Sequence, residues 1–382
     1  MPLGYLTTVV IAAICTAVAV APPQPARSHR RSVPYILGLV PIEAPMVVLA
    51  LLMIATVVAG TQGDLATPVG ATAAALSALT AGGLVVLAHR QLRSASQVRT
   101  AFRRHVGSVA GAAPELSRRT MWLGILFPLP VRPRAVARIA GLPYGPDRDQ
   151  RLDVLHRPGS RAAPILVHFH GGFRGGGRYR EARALLHILA AHGWVTVSAD
   201  HRREPDADLD EMRNDARAVV GWIREHADSF GADPSHVVLV GSSAGAYLAA
   251  SAAAAADPAV AAVVLWYGFY GAPDDGVPPL ADLADTSDLP PILAVHGERD
   301  TVVLADDART AVAQLRRTGV GAHFVGLPHA QHGFDLLRST RALAVVRITE
   351  IFGARPTALR RSRDIPTTQR PIGPSGPYGP IT

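Results

Sequence analysis

The sequence contains no lysine, a single cysteine (Cys15) and few aromatic residues, 5% in all. One cysteine excludes a disulfide framework and any cysteine-rich zinc site. Cys15 lies in an apolar run, where it serves as a small hydrophobe. All 38 basic residues are arginine, a bias of coding composition rather than of chemistry. Charge is scarce as well: 18% of residues, against about 25% in ordinary soluble domains, while 48% are hydrophobic. That balance is the reverse of the one that keeps a chain disordered. The 382 residues allow one large domain or two ordinary ones.

The net charge of +8 is unevenly placed, at +1 over residues 1–88, +9 over 89–138, −6 over 139–352 and +4 over 353–382. Basic flanks therefore surround a mildly acidic core. No base-reading motif accompanies them, so no nucleic-acid partner is expected. An anionic lipid surface suits a basic patch beside apolar segments better.

Three apolar stretches, 3–21, 35–60 and 69–88, are each long enough for a hydrocarbon core of about 30 Å. They predict a three-span transmembrane domain over 1–88. The rival for the first stretch is a secretory signal, but nothing basic precedes it. Arg27, Arg30 and Arg31 follow the first stretch, and Arg90, Arg93, Arg99, Arg103 and Arg104 follow the third, whereas the connection 61–68 has no basic residue. Positive loops stay inside, so the N-terminus is expected outside and the rest of the chain on the cytoplasmic face of a multi-pass protein. Glu43 reads as an interfacial residue, and three spans with one acid offer no transport pathway. Residues 89–138 read as a basic juxtamembrane connector whose apolar part, 121–131, is too short to span. The tail 353–382, rich in Pro, Gly and Arg, reads as disordered.

Residues 139–352 alternate apolar runs of strand length with helical periodicity. Strands are expected at 164–168, 194–199, 237–240, 260–266, 292–296 and 323–327. Helices are expected at 181–192, 208–230, 244–256, 306–317 and 336–352. This is an α/β pattern, a doubly wound and mostly parallel sheet covered on both faces. Working groups in such sheets gather at the carboxyl ends of the strands.

Four signals stand at those ends. Gly241-Ser242-Ser243-Ala244-Gly245 is a G-x-S-x-G between a strand and a helix, where a sharp turn exposes Ser243. Ser242 is expected to face away. His170-Gly171-Gly172 follows the strand ILVHF, and its glycines let backbone N–H groups approach a developing oxyanion, with the N–H of Ala244 as a further donor. Gly175–Gly177 has the wrong spacing for a dinucleotide fingerprint and reads as loop. Asp300 lies in His296-Gly297-Glu298-Arg299-Asp300, and His332 in His329-Ala330-Gln331-His332-Gly333-Phe334. A serine hydroxyl attacks only when a histidine takes its proton and a carboxylate holds that histidine. The order Ser243, Asp300, His332 fits this chemistry. His332 is preferred to His329 because it lies farther past the strand. Asp306 and Asp307 suit a helix's first turn. Asp200-His201-Arg202-Arg203 is expected to form internal salt bridges.

These motifs, with the D-x-R at Asp200–Arg202 and the Q-H-x-F-D at Gln331–Asp335, resemble the hormone-sensitive-lipase-like carboxylesterases of the α/β-hydrolase fold, nearest the bacterial acetyl-esterase and lipase branch. The resemblance covers about residues 140–352. It implies Ser243 as nucleophile, His332 as base and Asp300 as its orienting partner. Gly171, Gly172 and Ala244 would surround the oxyanion, with His170, Gly241 and Gly245 as supporting positions. It implies an ester substrate and no metal or organic cofactor. The family's HGGG appears here as His170-Gly171-Gly172-Phe173, which leaves the second loop donor open. Residues 268–290 are too short and polar for a large lid, so 112–138 is the expected cap. A peptidase, thioesterase or amidase is open to the same triad, and so is a non-catalytic membrane scaffold. The small lid favours short or medium acyl chains, a membrane tether suits a lipid-like ester, and the natural substrate and oligomeric state are not legible.

Overall fold

The computed structural model describes residues 2–22, 32–107, 115–172, 181–256, 260–271, 276–283 and 289–354. The expectations for Phe173, for 175–177 and for the tail beyond 354 lie outside these residues.

Four helices open the chain: α1 (Pro2–Val20), α2 (Ser32–Glu43), α3 (Pro45–Thr61) and α4 (Pro68–Val106). Leu52 and Ala59 of α3 pack with Val9 of α1 and Leu84 of α4, while Leu3, Ile11, Leu51, Ile54, Val57 and Leu79 point outward. Two helices, α1 and α4, are long and apolar enough to cross a membrane, and the pair α2–α3 is a bent third candidate. The expected span 35–60 is thus broken: α2 and α3 meet at 85°. Pro45 opens α3 and cannot donate an N–H to the helix before it.

The third expected span does not stop at residue 88. α4 runs unbroken for 39 residues, about 58 Å. Thr67 caps its start by accepting from the Gly70 N–H. Past residue 90 the helix turns amphipathic, and Val98, Phe102 and Val106, at spacing i, i+4, i+8, enter the core beside the sheet. The first part of the expected connector is therefore a rigid mast. The rest holds α5 (Arg118–Leu126), clasped to the first turn of the closing helix by Thr340 Oγ1 donating to Met121 O at 2.8 Å.

Eight strands follow, in the order β1-β2-β4-β3-β5-β6-β7-β8. β1 (Ala137–Pro143), β2 (Arg151–His156) and β4 (Val195–Ala199) pair antiparallel along one edge. β3 (Ala163–Phe169), β5 (Ala232–Ser242), β6 (Ala262–Trp266), β7 (Ile292–Gly297) and β8 (Ala322–Leu327) complete the sheet, and all pairings from β4 to β8 are parallel. Helices α6 (Arg183–Ala191), α7 (Leu209–Glu225), α8 (Ala244–Ala254), α9 (Ala305–Arg317) and α10 (Thr340–Ala354) cover both faces. α7 starts on a reciprocal cap between Asp208 and Glu211. The closing helix begins at Thr340 rather than 336, because residues 336–339 turn back to meet the segment just after α5, where the Arg338 N–H donates to Pro128 O.

Candidate active site

β5 delivers Ser242 to the sheet's carboxyl edge, and the chain turns at once into α8. Ser243, between them, has φ 53° and ψ −121°, a conformation that side chains rarely adopt. The turn closes only around small neighbours. A Cβ on Gly241 would lie 2.2 Å from Gly245 O, and one on Gly245 would lie 2.2 Å from Phe169 O. Ser242 points the other way, buried, with its Oγ 2.9 Å from His168 Nε2.

Ser243 Oγ lies 3.1 Å from His332 Nε2, and His332 Nδ1 donates to Asp300 Oδ2 at 2.8 Å. The three residues expected from the sequence thus form one hydrogen-bonded row, assembled from the ends of β5, β7 and β8. Asp300 is held in turn: its Oδ1 accepts from the N–H groups of Val302 and Val303, at 2.8 and 2.9 Å. Burial alone would push the Asp300 carboxyl up. His332 and His296, the latter 3.2 Å away, outweigh burial and hold it well below the usual carboxylate range. Asp300 is therefore ionised at neutral pH, as a partner for an imidazolium must be. His329, the rival histidine, takes a left-handed turn at φ 59° outside this row.

The loop after β3 presses on the serine, and a Cβ on Gly171 would lie 3.0 Å from Ser243 Cβ. The Gly171 N–H donates to Glu181 Oε2 at 3.0 Å, so this amide is committed to a carboxylate. Gly172 comes next, with φ 94°. Ala244 is the first residue of α8, where an N–H has no acceptor within its own helix. His170 lies behind the loop, buried. Its Nδ1 is 2.8 Å from Gly171 O, and its Nε2 is 2.8 Å from Asp200 Oδ1. Asp200, His201 and His170 are the one group of possible metal ligands among the described residues. Both ring nitrogens of His170 are already engaged within the protein, and its ring stacks on His201 at 4.5 Å, so the group fits a loop support better than a metal centre. The expected salt bridges are present, Arg203 with Asp200 and Arg202 with Asp215.

Two tyrosines that no sequence motif marks pack around His332. Tyr267, after β6, meets its ring at 4.6 Å and donates to Asp335 Oδ1. Tyr35, on α2, meets it edge-on at 5.7 Å. Among the described residues, α2 lies against His332 through this ring. Glu43 also departs from the interfacial reading. It is buried in an ion pair with Arg341, because a carboxylate at the α2–α3 break needs a partner away from lipid.

Residues 166–277 match the family model described as alpha/beta hydrolase fold. With the sheet order and the turn at Ser243, that match makes the chain an α/β-hydrolase-fold protein. Three similar proteins come from Mycobacterium tuberculosis. Esterase LipC is 33% identical over 52% of this chain and 60% of its own. Esterase LipQ is 29% identical over 66% and 70%. The probable carboxylic ester hydrolase LipM is 28% identical over 87% and 88%, a match long enough to reach into the N-terminal helices. This chain thus spans less than two thirds of LipC but most of LipM. Among solved structures, esterase B of Lactobacillus rhamnosis in a phosphonate-inhibited form superposes with a TM-score of 0.51 at 19% identity. It covers 60% of this chain and 90% of its own, a likeness of fold.

Proposed function

We propose that the chain is a membrane-anchored serine hydrolase of carboxylic esters. The observation that carries this reading is the row Ser243–His332–Asp300, with the serine held at a strained turn and the imidazole hydrogen-bonded on both sides. The names of LipC, LipQ and LipM support the choice of ester over other acyl compounds.

In the proposed reaction, His332 Nε2 takes the proton from Ser243 as Oγ bonds to the ester carbonyl carbon. The carbonyl oxygen becomes an anion, facing the N–H groups of Gly172 and Ala244. Gly171 holds the loop backbone against Ser243, with its own N–H fixed by Glu181. The bond to the alcohol oxygen then breaks, and His332 gives that oxygen its proton. Water, deprotonated by His332, attacks the acyl-enzyme; the bond to Ser243 Oγ breaks and the acid leaves. Asp300 holds the imidazole's tautomer and stabilises its cation.

In this reading α1, α3 and the first half of α4 cross the membrane, while α2 lies at its surface. The catalytic domain then sits on the cytoplasmic side, with the arginines. Arg90 supports this placing, because its guanidinium donates to Val20 O where α1 ends, at 2.8 Å. Hydrolysis of nitrophenyl esters from two to sixteen carbons tests the activity, using membranes carrying wild type or Ser243→Ala. Turnover by wild type and none by the variant is expected; equal turnover by both contradicts the proposal.

A further inference from the structure

The segment 118–134 is packed on one side and open on the other. In α5, Gly124 and Ile125 are buried, and a Cβ on Gly124 would lie 2.9 Å from the backbone N of Thr340 in α10. Trp122, Leu123 and Leu126 fall within about 100° of one another around the helix, on the opposite side, and all three are exposed. The exposed apolar row continues past the helix through Phe127, Leu129 and Val131, at 66%, 64% and 74%. Six of the ten residues 122–131 are thus large, apolar and exposed, a contiguous ridge rather than scattered side chains.

One turn fixes where this ridge stands. The Arg338 N–H donates to Pro128 O, and Thr340 Oγ1 donates to Met121 O at 2.8 Å, so residues 338–340 grip the segment on both sides of α5's end. Between them Ser339 Oγ donates to Glu43 Oε2 at 2.6 Å, and Arg341 pairs with the same carboxylate. Glu43 ends α2, and α3 starts two residues later at Pro45. The ridge is therefore tied to the point where α3 enters the membrane in the topology above, and α5 packs beside α3.

Charge and backbone both suit the ridge to a lipid surface. Arg118 and Arg119 precede it and Arg132 and Arg134 follow it, all exposed, and no acid stands between Glu115 and Asp147. The tip of the segment needs little water. The Phe127 N–H donates to Leu123 O and the Val131 N–H to Leu129 O, while Pro128 and Pro130 have no N–H to satisfy.

We propose that residues 122–131 form a second membrane contact, a ridge set into the interfacial layer of the leaflet from which α3 starts, with anionic phospholipid as its partner. The inference rests on the spanning reading above and goes beyond it. The catalytic domain is then held at two places, by the mast helix α4 and by the ridge, which fixes its tilt over the bilayer.

The test uses the full-length protein in vesicles of phosphatidylcholine and phosphatidylglycerol, with bromine on the upper acyl chain as a contact quencher of tryptophan. Trp122 is one of four tryptophans; Trp194 and Trp266 are buried in the catalytic domain, and Trp222 lies on α7. Brominated lipid is expected to remove on the order of a quarter of the wild-type emission and almost none of that of Trp122→Phe. Phe127→Trp, added to Trp122→Phe, is expected to restore the quenching. Trp122 emission that bromine leaves untouched but aqueous acrylamide quenches overturns the contact, because the ridge then stands in water. Protection from both quenchers overturns it too, because another protein surface then covers the ridge. Val57→Trp, at an exposed position of α3, separates the two levels when made in the Trp122→Phe background. Quenching of that protein by bromine, with none at Trp122, overturns the ridge alone; no quenching of it contradicts the spanning reading on which the ridge depends.

Discussion

Glu43 and Arg341 form a buried ion pair that joins the break between α2 and α3 to the first turn of α10. Nearly 300 residues of chain separate them. Through Ser339 and Gln91 the same carboxylate also holds the turn before α10 and the mast helix α4. The contact fixes the catalytic domain against the apolar helices, and with it the place of Tyr35 beside His332.

Removing one partner leaves the other charged and buried. Glu43→Ala should cost about 3–5 kcal/mol of stability, whereas replacing both residues together, Glu43→Leu with Arg341→Met, should cost less than that. Urea unfolding in detergent micelles measures the difference. A loss in the double variant equal to the sum of the losses in Glu43→Leu and Arg341→Met alone would show the pair to be uncoupled.

Asp335 gives a pH dependence of stability. Burial pushes its carboxyl up to about 7, and the Glu181 carboxylate adds to this, against the hydrogen bond from Tyr267. The folded state therefore keeps a proton that the unfolded chain releases near pH 4. The stabilisation is full below that pH and is lost as pH rises through about 7. Asp335→Asn stays neutral and keeps an acceptor for Tyr267. Its stability should change less between pH 5 and pH 8 than that of wild type, by on the order of 3 kcal/mol. Parallel pH slopes in thermal melts of the two proteins would contradict the assignment.

Glu181 fixes the Gly171 N–H and so the loop that faces Ser243. Glu181→Ala frees that amide. In the proposed mechanism kcat should fall about tenfold with KM changed less than threefold, a loss of transition-state rather than substrate binding. Steady-state kinetics on nitrophenyl butyrate decides it, and a KM effect with unchanged kcat would count against the role.

The topology predicts opposite exposure of two ends. With Cys15→Ser as background, a cysteine at Gln62, in the turn between α3 and α4, should react with an impermeant maleimide in intact cells. A cysteine at Glu225, in α7, should react only after lysis. The reverse pattern would place the catalytic domain outside.

Much of the catalytic domain was legible because its signals are local. A buried parallel strand is a continuous apolar run, and the residues proposed to carry the chemistry stand within a few residues of its end, as Ser243, Asp300 and His332 do. The edge strands β1 and β2 were not legible. β1 is exposed along most of its length, and its Gly and Pro break any alternation. The N-terminal half was legible as apolar but not as shape. Tyr35 and Glu43 lie in one hydropathic run, and hydropathy does not tell a span from a helix turned across it. Only the distant partners, His332 and Arg341, reveal the turn. Past residue 88 the sequence became basic, which concealed that Val98, Phe102 and Val106 continue the same helix into the core.

The central claim is that Ser243 is a nucleophile activated by His332. The most direct measurement treats the membrane-bound protein with a fluorophosphonate and locates the adduct by peptide mass spectrometry, in wild type and in His332→Ala. One adduct on the peptide carrying Ser243, formed at least about a hundredfold more slowly in the variant, is the predicted result. Absence of any adduct from the folded wild type, or an adduct on another residue, would contradict the account.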